Sequence, residues 1–159
     1  MWNEFVLLGS LLTLLLSLLL TGIMTAIGLA NRKNLHISDE VGVSKFQKFL
    51  SSFYIRLTRL EWVVIGVYCI CGFLNYHNPY SAISLFVAAG LLIIGRFMAI
   101  KKLHPINKQV KSWTSIYIPG KWKYLKDKWF SIHWHRTLIC FFSVLLSFIS
   151  LYFMACNCV

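Results

Sequence analysis

Trp129-Phe-Ser-Ile-His133-Trp-His135-Arg136 sets imidazoles and a guanidinium directly before an apolar run from Thr137 to Phe153. His133 and Arg136 are three residues apart, so on a helix they share one face. An imidazole titrates near neutrality and can take a proton from an acidic C–H or a phenol. A guanidinium one turn on can stabilise the resulting oxyanion, most strongly where water is scarce. Glu61 and Arg96 stand at the same expected depth, at the start of a second apolar run and near the end of a third. Ionisable groups at that depth need a partner or an aqueous cavity. Glu61 with Arg96 or Arg136 is the obvious pair, and a salt bridge that merely closes the structure accounts for Glu61 and Arg96 equally well.

Composition decides what kind of element must carry these side chains. The chain of 159 residues is 58% hydrophobic and 16% aromatic, with a mean hydropathy of +0.67, far outside the soluble average. These values predict an integral membrane protein with a single domain covering residues 1–159. Apolar runs place four spans at about 5–30, 59–77, 80–100 and 133–155. The first is long enough to cross a hydrocarbon core of about 30 Å. Its flank, Met-Trp-Asn-Glu, lacks the positive start of a signal peptide, so a retained span is expected. Asn75-Tyr-His-Asn-Pro79 supplies turn chemistry between spans two and three.

The formal charge is +11, from 16 Lys and Arg against 5 Asp and Glu. In a soluble chain that surplus would point to nucleic acid. Here it is concentrated in two connectors, at about 31–58 and 101–132, so anionic lipid headgroups are the expected counter-charge. The tails and the turn at residues 75–79 carry no Lys or Arg. The positive-inside rule therefore places both connectors in the cytoplasm and both termini outside; the expected location is a bacterial inner membrane. Each connector also has an amphipathic pattern: Phe46, Phe49, Phe53 and Leu57 in the first, and Trp122, Leu125, Trp129 and Ile132 in the second. In the second, Lys121, Lys123, Lys126 and Lys128 fall off the apolar line. Both patterns predict helices that lie at the membrane surface or lead into the next span.

Small and polar residues recur along the spans at intervals of three and four. The clearest series is His133, Arg136, Cys140, Ser143, Ser147, Ser150 and Met154; Ser10, Thr13, Ser17, Thr21, Thr25 and Gly28 form another, and Ser81, Ser84, Ala88, Gly95 and Ala99 a third. Such stripes face other helices, because small residues allow close approach and hydroxyls prefer a partner to lipid. The fold expected is all-α: a four-helix bundle with interfacial helices in its connectors and the His133 face turned inward. His135 and Trp134 belong at the headgroup interface, whereas His104 lies on the same side as His133 and could approach it. His36 and His77 have no evident role.

No zinc, haem-attachment, phosphate-loop or nucleophile-elbow motif is present. Cys69, Cys71 and Cys140 sit in apolar runs, and Cys156-x-Cys158 alone is too small a ligand set for zinc. Neither metal nor cofactor is expected.

Pro105-Ile-Asn107, Trp113, Pro119, Trp122 and Trp129-x-x-x-His133-x-x-Arg136-Thr137, taken together, resemble the signature of the anthrone oxygenase-like family of small four-span membrane proteins, a domain of unknown function. Phe46-Gln-Lys-Phe49 matches more loosely. The resemblance implies a cofactor-independent oxygenase acting on an electron-rich polycyclic phenol. It implies catalytic roles for His133 and Arg136 and substrate contacts from Asn107, Trp113, Trp122 and Trp129, to which depth adds Arg96 and Glu61. The tryptophans could stack on an aromatic substrate or simply anchor the interface. The other function the sequence allows is non-enzymatic: a membrane subunit whose basic cytoplasmic face binds anionic lipids or an acidic partner protein, alone or as a homo-oligomer.

Overall fold

The structure, a computed structural model, describes residues 2–33, 40–112, 120 and 122–156. Helix α1 runs Trp2–Lys33, α2 Glu40–Leu74, α3 Pro79–Met98, α4 His104–Ser112 and α5 Trp122–Cys156. Among the described residues, four stretches are long and apolar enough to cross a membrane: Glu4–Ala30, Arg56–Leu74, Pro79–Val110 and Lys123–Cys156. The all-α four-helix bundle is as expected, and its composition makes this an integral membrane protein. Helices satisfy every interior backbone group within themselves, which is what a hydrocarbon solvent demands.

Packing follows the cyclic order α1, α2, α3, α5, so that α2 and α5 face each other across the diagonal. The burial pattern is inverted relative to a soluble bundle. Ser10, Thr13, Ser17, Ser81, Ser143, Ser147 and Ser150 are buried, while Leu8, Leu15, Phe142, Phe148 and their neighbours face outward. The whole α5 series from His133 to Met154 is buried, as its spacing predicts. Lipid does not distinguish one apolar face from another, so the hydroxyl face goes inside, where it finds acceptors.

Thr13 and Ser17 bond back to carbonyls of their own helix, while other polar contacts join one helix to the next. At the end that holds the termini, Ser10 Oγ contacts Met154 Sδ at 3.0 Å. Asn78 caps α3 by accepting from the Ser81 amide at 3.3 Å and donates to the Phe153 carbonyl at 3.0 Å. Pro79 follows at the first helical position, where its missing N–H costs nothing. Asn75 donates to Cys71 O at 2.8 Å, and Ser81 and Ser150 hydroxyls meet at 2.6 Å. The tight turn at residues 75–79 is thus fixed to the end of α5.

One boundary differs from the expectation. Span three does not stop near residue 100: a π-turn over Ala99–Leu103 carries the chain into α4. The His104 amide donates back to Ala99 O, five residues earlier. Pro105 cannot donate and its ring would crowd the preceding turn of a regular helix; the wider turn absorbs that defect with an extra residue. Leu103, Ile106 and Val110 therefore stay buried. As the pattern from Trp122 to Ile132 allows, α5 begins at Trp122 and its amphipathic start leads directly into span four as one helix. In the same way the Phe46–Leu57 pattern belongs to the helix that becomes span two.

Candidate functional site

At the connector end of the bundle, α2, α3, α4 and α5 deliver their unusual side chains to one place, and α1 brings a backbone carbonyl to it. Glu61 comes from α2, Arg96 from α3, and Trp129, His133 and Arg136 from successive turns of α5. Arg136 donates through Nη2 to Glu61 Oε1, a direct buried ion pair across the diagonal. Its Nε donates to the Gly95 carbonyl at 3.1 Å. That carbonyl stands where α3 begins to loosen, because the Ala99 amide is shared between Gly95 O and Arg96 O. Arg96 Nη1 lies 3.6 Å from Glu61 Oε2, with 16% of its side chain exposed. Two guanidiniums thus share one carboxylate. The interior keeps a carboxylate and a guanidinium charged only when they are paired this closely.

His133 is 0% exposed and Arg136 1%. His133 Nε2 lies 2.9 Å from the Met24 carbonyl of α1. A carbonyl only accepts, so Nε2 carries the proton and, in the neutral ring, Nδ1 holds the lone pair. Nδ1 has no hydrogen-bond partner among the described residues. Gly28 lies on α1 beside this ring, where an added Cβ would come within 3.5 Å of His133 Cδ2. The imidazole stacks on Trp129, with centroids 4.8 Å apart and planes 10° from parallel. Trp129 Nε1 donates to Asn107 Oδ1 of α4 at 3.0 Å. One face of Trp129 is therefore occupied by His133 and not offered to a ligand.

Of the residues singled out from sequence, Glu61, Arg96, Asn107, Trp129, His133 and Arg136 all meet in this assembly. Trp113 lies outside the described residues, as does the side chain of Trp122. His104 is exposed, while His135 and Trp134 face outward as expected. His135 Nδ1 instead contacts Ser131 O at 2.6 Å. Lys126, which falls off the apolar line of its helix, is nonetheless buried at 2% exposure.

Sequence reasoning passed over Tyr68. Its hydroxyl crosses the diagonal from α2 to lie 2.5 Å from Ser147 Oγ and 3.1 Å from Ser143 O. A tyrosine in mid-span has only its alignment with the hydroxyl stripe of α5 to mark it, and that alignment needs the helix pairing to be known. The carbonyls of Met24 and Gly95 were invisible for a simpler reason, since every residue has one.

Two surface grooves flank the assembly. One, of about 520 Å³, lies between the π-turn and the early turns of α5. The other, of about 500 Å³, runs between α1 and α5 beside Thr21, Gly22, Ala26 and Phe141. Neither is lined by His133 or Arg136. Among the described residues no three His, Cys, Asp or Glu side chains converge as a metal set would. Comparison with family models, with curated proteins and with solved structures yields no match in any of the three.

Proposed function

We propose that this chain is a non-enzymatic membrane subunit, a four-span bundle whose basic connector face docks on anionic lipid at the cytoplasmic surface of a bacterial inner membrane, with both termini outside. One observation carries this reading: His133 and Arg136 are sealed, at 0% and 1% exposure. Arg136 is held by Glu61 and Gly95, and His133 by Met24 and Trp129. Arranged this way, the assembly is a lock between helices. It ties α2 to α5 and α1 to α5 at one level, where four chain segments would otherwise be joined by dispersion alone.

A second reading has its own support. Asn107, Trp129, His133 and Arg136, the described positions that carry the resemblance to anthrone oxygenase-like proteins, form one spatial unit, and His133 presents an unpartnered Nδ1. In that reading a shift of α5 or α4 admits a polycyclic phenol, Nδ1 takes its proton, and Arg136 holds the oxyanion. The carbanion gives its electrons to dioxygen; one oxygen atom stays as the new ketone and the other leaves as water.

Oxygen uptake by the purified protein in detergent with anthrone separates the two. Uptake no faster than in protein-free detergent supports the subunit. Uptake that is catalytic and abolished by His133→Ala overturns it and establishes the oxygenase.

A further inference from the structure

We propose that the groove between the π-turn and the first turns of α5 is a binding site for the phosphate of an anionic glycerophospholipid. The inference rests on the lipid-docking reading and gives it an address. Lys102, Tyr124, Asp127, Lys128, Ser131 and Ile132 line the groove. Tyr124, Lys128 and Ser131 are four and three residues apart, so they form one ridge along α5. Lys128 Nζ sits 5.7 Å from the centre of the Tyr124 ring, which holds the ammonium on that ridge. Lys102 faces it from the π-turn, where the wide turn leaves Lys101 and Lys102 exposed and Leu103 buried.

Depth selects the occupant. Ile132 is the apolar member of the lining, and His133 and the ion pair follow it directly. Trp134, Leu138, Phe141 and Phe142 on α5 then face outward. A ligand seated between the lysines therefore has water on one side and the apolar belt on the other. A diacyl phosphate matches both, whereas free phosphate leaves the belt unused and an acidic protein segment would have to enter it. The lining carries two ammonium groups against one carboxylate, a surplus suited to a single phosphate. Asp127 opposes that phosphate, and removing its charge strengthens binding.

The test uses the full chain in a mild detergent, titrated with phosphatidylglycerol, phosphatidylcholine or inorganic phosphate, and reads bound lipid by native mass spectrometry alongside thermal protection. Phosphatidylglycerol binds in preference to phosphatidylcholine, and inorganic phosphate gives no protection at the same concentration. Lys102→Gln with Lys128→Gln weakens phosphatidylglycerol by roughly 30-fold, about fivefold per lysine. Lys101→Gln with Lys108→Gln, exposed lysines outside the groove, changes it by less than about threefold. Asp127→Asn tightens it. All these side chains are exposed, so the variants fold. Equal losses from the two lysine pairs overturn the groove and leave the basic-face reading standing. No preference for the anionic lipid overturns both. Full protection by inorganic phosphate overturns the lipid in favour of a free anion, and weaker binding by Asp127→Asn overturns the assignment of a simple phosphate.

Discussion

The phenol of Tyr68 and the hydroxyl of Ser147 meet at 2.5 Å across the diagonal of the bundle, at a point where Ser147 also reaches back to Ser143 O at 3.1 Å. Helices α2 and α5 pack against common neighbours more than against each other, so side chains long enough to span the gap must join them. Tyr68→Phe keeps the ring and removes the bridge. The expected loss is about 1 kcal/mol, the net worth of one buried hydrogen bond. Ser147→Ala should cost a similar amount, and the double variant little more than either. Thermal unfolding in detergent reads this, and fully additive losses would show that the two hydroxyls are not coupled.

Glu61 supports the larger connection. Glu61→Gln takes the carboxylate away from the buried Arg136 guanidinium and should destabilise by roughly 3–5 kcal/mol. Replacing both partners, Glu61→Met with Arg136→Met, should recover most of that loss, because two apolar side chains need no partner. Arg96 tolerates the change: with 16% of its side chain exposed, it can turn its charge toward the surface. Equal melting temperatures for wild type and Glu61→Gln would show that the pair is not holding the bundle.

The link from α4 to α5 is separable in the same way. Trp129→Phe retains a ring against His133 but loses the donor to Asn107 Oδ1, at an expected cost of about 1 kcal/mol. Asn107→Leu breaks the same bond from the other side. A double-mutant cycle should give a coupling near the single losses, and no coupling would assign the stability to the ring stack alone.

Topology is open to chemical labelling. Cys156 is exposed at the end that holds the termini, whereas Cys71 and Cys140 are buried. A membrane-impermeant thiol reagent applied to intact spheroplasts should modify the Cys156-x-Cys158 tail. A cysteine at exposed Ser112, placed in a variant lacking the tail cysteines, should react only after lysis. The reverse pattern would invert the orientation.

The α5 seam was legible because hydroxyls at every third or fourth position have no reason to face lipid. Glu61 was legible because it is the lone acid in an apolar run, and the arginines near its depth limited its partners to two. What the sequence left open was which arginine would bind directly; in the structure Arg136 takes the carboxylate and Arg96 stands farther off. The end of span three was expected near residue 100, where Lys101 and Lys102 open a basic connector, but the chain continues through a π-turn into α4. A π-turn costs little and cannot be read from composition. Lys126 lies off the apolar line and is still buried; periodicity says which face of an amphipathic helix is apolar, but not how much of the flank beside it is exposed.

The ion pair also has a history in time. Glu61 is synthesised 75 residues before Arg136, roughly 4–15 s at ordinary rates of elongation. For that interval span two holds an acid in or near the bilayer with its final partner not yet made. Arg96 emerges in between, on the helix that follows, and ends up 3.6 Å from the same carboxylate. In that order of synthesis Arg96 is the first of the two arginines available to Glu61, and Arg136 the second. A chain truncated before α5 would have Arg96 but not Arg136 to meet Glu61, and so would lack the ion pair that ties α2 to α5 across the diagonal.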